Sequence, residues 1–287
     1  MKYQKPPLKR LTDKVSIPVL GIGTWGIGGR YEADKSEDKK CIKTIRKAIE
    51  LGYTLIDTAE LYGNGHAEEL IAEAIKNFDR EKLFIISKVS PENHRYNDLI
   101  NSCKNSLRRL QINCLDLYLL HQPNHNIPFE ETMRAMDYLV ENKMTRFIGV
   151  SNFSVNDIKQ AQKYSKNKIV ANQIQYSLAA RNKGLFNINM ESKIIPYCIK
   201  NNILVISWRP LAKGKLSKHG FNKTLDDIAK KYHKTPAQIA INWVISKKGV
   251  VTLVKSTNIE HIKENLGALT FKLDKKDINK LDREFNV

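Results

Sequence analysis

Eight short runs of apolar and β-branched residues alternate with eight longer amphipathic runs along this 287-residue chain, and that alternation constrains its fold more than any other feature. The strand-like runs fall at 19–24, 54–58, 83–89, 115–121, 147–151, 169–175, 204–208 and 250–255. Helical spacing occupies 39–51, 67–77, 96–110, 129–141, 155–164, 194–201, 225–245 and 259–266. Strands separated by helices imply parallel pairing, because each crossover must return the chain to the same end of the sheet. Runs such as Leu115-Asp116-Leu117-Tyr118-Leu119-Leu120 are nearly all apolar, as expected of strands covered on both faces.

Punctuation supports the count. Ser154 stands at an N-cap position before Val155, and Thr235-Pro236 reads as an N-cap with proline in the first turn. Leu51-Gly52 and Lys248-Gly249 read as helix stops ahead of strands. No Ser/Gly linker divides the chain. The expected architecture is α/β: a (β/α)8 TIM barrel forming a single domain over 1–287. A hairpin over 8–18 would close the barrel floor, and an additional C-terminal helix would span 274–285.

Composition narrows the function. The net charge of +18 is carried mostly by lysines spread through helical patterns and interleaved with Asp and Glu, so it reads as solvated helix faces rather than a nucleic-acid stripe. An anionic cofactor would still benefit from that field. The four cysteines, Cys41, Cys103, Cys114 and Cys198, are scattered, with no CxxC pair and no metal-ligand spacing, so reduced thiols and no metal are expected. No run approaches the roughly 20 apolar residues that span a bilayer, and Met1 to Pro7 carries charge without an apolar segment behind it. A cytoplasmic protein with no membrane partner is the expectation.

Gly21-Ile22-Gly23-Thr24-Trp25-Gly26 matches the dinucleotide fingerprint G-x-G-x-x-G, but its context does not. A fingerprint turn opens directly into a helix whose N-terminus holds the pyrophosphate. Here Ile27-Gly28-Gly29-Arg30-Tyr31 continues as loop, and helical spacing begins near Asp38.

In a parallel barrel, chemistry collects at the C-terminal ends of the strands. The second strand ends in Asp57, with Tyr62 on the loop beyond it; the third ends near Lys88 and the fourth near His121. Singly each has a structural explanation, but at the mouths of three successive strands they form an acid–base set. A phenol is a weak acid at neutral pH, and a neighbouring ammonium favours the phenolate, so Lys88 is expected to tune Tyr62 downward as a general acid. Asp57 would orient Lys88, and His121 would hydrogen-bond a substrate carbonyl.

Asp57-Thr58-Ala59-x-x-Tyr62-Gly63, Lys88, His121 in Leu119-Leu120-His121-Gln122-Pro123, Gly149-Val150-Ser151-Asn152-Phe153 and Asn172-Gln173-Ile174-Gln175-Tyr176-Ser177 together resemble the aldo-keto reductase superfamily, in its bacterial and archaeal NADPH-dependent aldehyde and ketone reductase form. The resemblance runs from about Val19 to Leu266 and implies a catalytic tetrad of Asp57, Tyr62, Lys88 and His121. It further implies that Ser151, Asn152 and Gln173 hold a nicotinamide carboxamide, that Trp208 stacks on the ring, and that Gly23, Thr24 and Trp25 line the mouth. Lys255-Ser256-Thr257 and the following His261, Glu264 and Asn265 resemble the adenosine-phosphate clamp. There Lys255 and Ser256 would take the 2′-phosphate and Glu264 and Asn265 the adenine; Leu211 completes the implied cofactor contacts. His261 stands where the family usually has arginine, so NADP(H) is the expected cofactor, with NAD(H) as a second.

The implied activity is hydride transfer from NAD(P)H to an aldehyde or ketone, with Tyr62 as acid. The alternative is an NADP(H)-binding regulatory or channel-associated barrel subunit with incidental turnover. Substrate contacts are expected from loops 25–31, 91–96, 121–128 and 211–224. The chain ends soon after its last helical pattern, which implies an open site for a small carbonyl or sugar-like substrate. Neither the particular substrate nor the oligomeric state follows from these motifs.

Overall fold

The computed structural model describes residues 6–285. The five N-terminal residues, where the expected lack of a targeting segment was partly read, lie outside the described residues. Two short antiparallel strands come first, β1 (Leu8–Arg10) and β2 (Ser16–Pro18). Eight parallel strands follow: β3 (Leu20–Gly23), β4 (Leu55–Asp57), β5 (Phe84–Val89), β6 (Leu115–Leu120), β7 (Thr145–Ser151), β8 (Ile169–Gln175), β9 (Leu204–Trp208) and β10 (Val250–Val254). They close in chain order into a barrel in which β10 pairs with β3.

Among the described residues ten α-helices clothe it: α1 (Asp38–Glu50), α2 (His66–Ile75), α3 (Tyr96–Leu110), α4 (Phe129–Glu141), α5 (Val155–Lys163), α6 (Ile195–Lys200), α7 (Lys223–Tyr232), α8 (Pro236–Ser246), α9 (Ile259–Leu266) and α10 (Lys275–Glu284). The expected hairpin and extra C-terminal helix are both present. The continuous helix expected at 225–245 is instead two. His233 turns left-handed (φ 53°), and Thr235 then starts α8 with a reciprocal capping box to Gln238, with Pro236 in the first turn. Proline cannot accept continuation of the preceding helix, so the cap signal outweighs the apolar periodicity that bridges it.

Strand periodicity sorts the side chains into two cores. Leu20, Ile22, Ile56, Ile85, Tyr118, Leu120, Ile148 and Val150 face outward under the helices. Leu55, Phe84, Ile86, Leu117, Leu119, Ala171, Ile206, Val251 and Leu253 fill the barrel, joined from below by Leu11 and Ile17 of the hairpin segment. The Lys9 ammonium pins that hairpin to the floor, donating to the carbonyls of Ile245, Lys247 and Val250 at 2.6, 2.7 and 2.7 Å. The interior is narrow: a Cβ on Gly21 would sit 2.6 Å from Leu55 Cγ, and one on Gly149 would sit 2.6 Å from Leu119 Cδ2. Small residues there let the barrel close around larger neighbours.

Candidate active site

The same two-residue period that places Leu55, Ile86 and Leu119 inside the barrel places Asp57, Lys88 and His121 inside one layer higher. The register staggers them. Asp57 pairs with Ile86, and Lys88 pairs with Leu119, so each successive group stands two residues further up its neighbour. By the same period Ser151, Gln173, Trp208 and Lys255 follow the inward positions of Gly149, Ala171, Ile206 and Leu253 at the C-terminal rim. A barrel without charged residues in its lower layers thus carries its polar groups at the open end.

Lys88 is fully buried, and its ammonium donates to Asp57 Oδ2 at 2.9 Å, to the Thr58 carbonyl at 2.6 Å and to Tyr62 Oη at 3.3 Å. Gln173 Nε2 reaches across the barrel to donate to Asp57 Oδ1 at 2.8 Å. Tyr62 is set by the β4–α2 loop, where Gly63 N–H donates to the Arg30 carbonyl at 2.8 Å and ties this loop to the one after β3. The Tyr62 ring lies 5.0 Å from Trp25 and 5.6 Å from His121, each edge to face. Asp57, Tyr62, Lys88 and His121 are therefore brought together.

The electrostatics depart from the sequence expectation in one respect. Burial raises the Tyr62 phenol, and the opposing pull of Lys88 does not offset it, so the group ends above its usual range instead of below it. Low dielectric penalises the phenolate more than one ammonium at hydrogen-bond distance favours it, especially with Asp57 behind that ammonium. Burial also works against charge on Lys88, but Asp57 and Tyr62 outweigh it, and the ammonium is held above its ordinary value. His121 is pushed down to about 3 by burial, then by Lys88 and by His94, and is neutral near pH 7.

Asn152, in the left-handed region (φ 62°), is a hub at the end of β7. Its Nδ2 donates to the His121 carbonyl and to Ser151 Oγ, each at 3.1 Å, while its Oδ1 accepts from Trp208 Nε1 at 3.2 Å. Ser151 Oγ donates to the Gln173 carbonyl at 3.1 Å. The polar side chains expected at a carboxamide thus also organise one another.

Further round the rim, Lys255, Ser256 and Thr257 leave β10, with Leu211 half-buried after β9. Lys255 has no carboxylate partner among the described residues; burial lowers it, with Arg30 and Lys40 adding to that shift. Its side chain is exposed, and its Nζ lies 4.0 Å from the position a Cβ on Gly26 would take, beside the loop after β3. An unpaired ammonium among other cations beside an open backbone suits a phosphate, so the residues present fit a phosphorylated dinucleotide. His261 is exposed on α9. Glu264 is engaged elsewhere, accepting from Thr235 Oγ at 2.6 Å, and Asn265 is 4% exposed, so that end of the clamp is built into the helix packing.

Three residues escaped the sequence reading, and a fourth, His94, was covered only as part of the loop 91–96 expected to meet substrate. Arg209, in the left-handed region (φ 57°), sits 4.9 Å from the Trp208 ring and acts electrostatically on Tyr62. Asn187 donates to the Asn152 carbonyl at 2.9 Å, drawing Phe186 to within 6.1 Å of Trp208. His94 is 1% exposed with its ring hydrogen-bonded to the Val89 carbonyl. Only the positions of His94 and Arg209, just beyond strand ends, hinted at a role.

Comparison with known proteins identifies the family of the chain. The sequence model described as the Aldo/keto reductase family matches residues 19–284. Methylglyoxal reductase YeaE of Escherichia coli is 36% identical over 279 residues, covering 96% of this chain and 94% of its own. The thermostable aldo-keto reductase Tm1743, solved with the inhibitor epalrestat, superposes with a TM-score of 0.91 at 41% identity, covering 96% of this chain and 99% of that one. An aldo-keto reductase from Klebsiella pneumoniae, solved with NADPH, gives a TM-score of 0.86 at 32% identity over 95% of this chain and 93% of its own. Among the described residues no helix is long and apolar enough to cross a membrane, and no cluster of His, Cys, Asp and Glu could hold a metal.

Proposed function

The chain belongs to the aldo/keto reductase family and is an oxidoreductase of carbonyl groups, and we propose that it reduces small aldehydes and ketones with NADPH, Tyr62 giving up the proton and NADH serving less well. The whole of 1–287 would act as one domain. The observation that carries this reading is the buried line from Asp57 through Lys88 to Tyr62, at 2.9 and 3.3 Å, beside the neutral ring of His121.

When bound, NADP(H) supplies the hydride. Ser151, Asn152 and Gln173 would hold its carboxamide, Trp208 would stack on the ring, and Lys255, Ser256 and Thr257 would take the 2′-phosphate. A carbonyl oxygen placed between the Tyr62 hydroxyl and the His121 ring accepts from both. As charge builds on that oxygen, Tyr62 transfers its proton, and the phenolate left behind faces the Lys88 ammonium. That stabilisation grows only as the proton leaves, so it acts on the transition state more than on the bound substrate. The raised pKa of Tyr62 serves this direction, since the phenol is protonated whenever substrate arrives. Asp57 keeps Lys88 charged in a site that would otherwise favour the neutral amine.

Methylglyoxal is the first substrate to try, because the Escherichia coli relative is named for it, and simple aldehydes follow. NADPH oxidation by the wild type is compared with Tyr62→Phe, with cofactor binding read from tryptophan fluorescence. The variant should bind NADPH almost as well while its kcat falls at least about a hundredfold, the scale of a lost general acid. Near-normal turnover by Tyr62→Phe would refute the assignment.

A further inference from the structure

Two buried histidine nitrogens near the site lack protein partners: His121 Nδ1, on the side of the catalytic ring away from its Nε2, and His94 Nε2. The two residues meet at one atom. The Val89 carbonyl accepts from His121 N–H at 3.0 Å and also from the His94 ring. The first of these donors is the His121 backbone, so Val89 ties the two residues together, and the His94 ring is near enough to act electrostatically on the His121 ring. Since Nε2 of His94 is the unpartnered nitrogen, Nδ1 is its donor, and the neutral ring presents a bare lone pair at Nε2. His94 is neutral near pH 7, its ring pushed down to about 4 by burial.

His121 can serve a carbonyl only if its proton is on Nε2, facing the substrate, which leaves Nδ1 as a second buried lone pair. Two lone pairs cannot bond to each other, and in the structure they do not. A direct Nδ1–H to Nε2 bond would move the His121 proton to the wrong side and turn a lone pair toward the carbonyl oxygen. One water lying between them would satisfy both nitrogens, since it has two protons to give. A water that gives one proton to each nitrogen leaves the His121 proton on Nε2, so the direction of its two bonds selects the tautomer.

We propose that His94 is a positioning residue: through one buried water that donates to His94 Nε2 and His121 Nδ1, it holds His121 in the Nε2–H form that donates to the substrate carbonyl. This rests on the reductase reading for its consequence, but not for its geometry. His94 lies on the short loop after β5, where it is anchored at its own carbonyl by Thr132 Oγ at 3.0 Å. The residue is thus held by its ring at Val89 and by its backbone at α4.

The test uses full-length wild type, His94→Leu, which keeps bulk but removes the acceptor, and His94→Gln, which restores an acceptor oxygen at the right reach. Nitrogen-15 NMR reads the tautomer of His121, and steady-state kinetics with methylglyoxal and NADPH read its effect. His121 should be Nε2–H in the wild type and a mixture of tautomers in His94→Leu. In that variant kcat should fall about tenfold with NADPH affinity unchanged, and His94→Gln should recover most of both signals. A wild-type His121 protonated on Nδ1 would overturn the proposal. So would a tautomer indifferent to His94→Leu, or equal losses in the two variants, the mark of a packing role. If the wild type reduces no carbonyl yet the tautomer responds as stated, the positioning role stands and the reductase reading falls.

Discussion

Replacing Asp57 by asparagine removes one charge from a pair whose side chains are 0% exposed at Lys88 and 5% at Asp57. The carboxylate takes two donors, one on each oxygen, from Lys88 and Gln173. An asparagine amide offers one oxygen, so either the ammonium or the Gln173 amide meets an N–H2 group, and Lys88 is left as a buried cation without a counter-ion. Breaking such a pair from one side costs about 3–5 kcal/mol, which for a chain of this size lowers Tm by roughly 6–20 °C. The pH dependence carries the sharper test. In the wild type the Lys88 pKa is raised, so its contribution is complete below the unfolded value near 10.4 and is lost only as pH climbs through the folded value. In Asp57→Asn only Tyr62 still opposes burial, and the folded pKa of Lys88 drops below the unfolded one. The variant then gains stability as pH rises, and its deficit measured by urea unfolding should be larger near pH 6 than near pH 9. Asp57→Asn/Lys88→Met should regain most of the loss, since an apolar residue of similar volume suits the site, while staying inactive. A deficit under about 1 kcal/mol, a deficit flat with pH, or a double variant no more stable than the single would refute the pairing argument.

Other perturbations probe separate parts. His261→Arg should tighten NADPH binding by about tenfold or more, the scale of one charge-assisted contact, and leave NADH almost unchanged; equal effects on both cofactors would discard the 2′-phosphate assignment. Thr235→Ala should cost about 1–2 kcal/mol in chemical denaturation, because it removes the capping box of α8 and the contact to Glu264 together. His66 lies between Asp38 and Glu69, at 2.9 and 2.8 Å; burial works against its charge but these carboxylates prevail and raise its pKa. Its stabilisation is therefore complete below the ordinary histidine range and fades as pH rises through the raised value, so the deficit of His66→Gln should shrink between about pH 5.5 and pH 9. A deficit that grows over that interval would reverse the sign of the argument.

Much of the barrel was legible because its signals are local. Six of the expected strands begin or end on the observed residue at one end at least, and α3, α4 and α9 match the expected spans at both ends. The strands are apolar on both faces, and the helices each have one apolar face to bury. The long run 225–245 misled because two helices with similar apolar spacing abut; Thr235 and Pro236, already noted as a start signal, mark the true break. Position at strand ends likewise singled out Asp57, Lys88 and His121. That rule only hints at His94 and does not reach Asn187, whose partners Val89 and Asn152 are chosen by the path of a loop.

By itself, then, the order of residues determined that strands and helices alternate, which side chains face the barrel interior, and which polar groups arrive at its open end. Those follow from period, propensity and caps, which act over a few residues. The tertiary structure decided how charge behaves once the groups have met. The sequence placed an ammonium near a phenol and implied a lowered pKa; only the closed barrel revealed that both are cut off from water, so that desolvation prevails at Tyr62 and an ion pair with Asp57 prevails at Lys88. It also decided that Glu264 bonds Thr235 and that two histidines share one carbonyl. Solvent exclusion and contacts between distant segments are properties of the assembled barrel, and no window along the chain contains them.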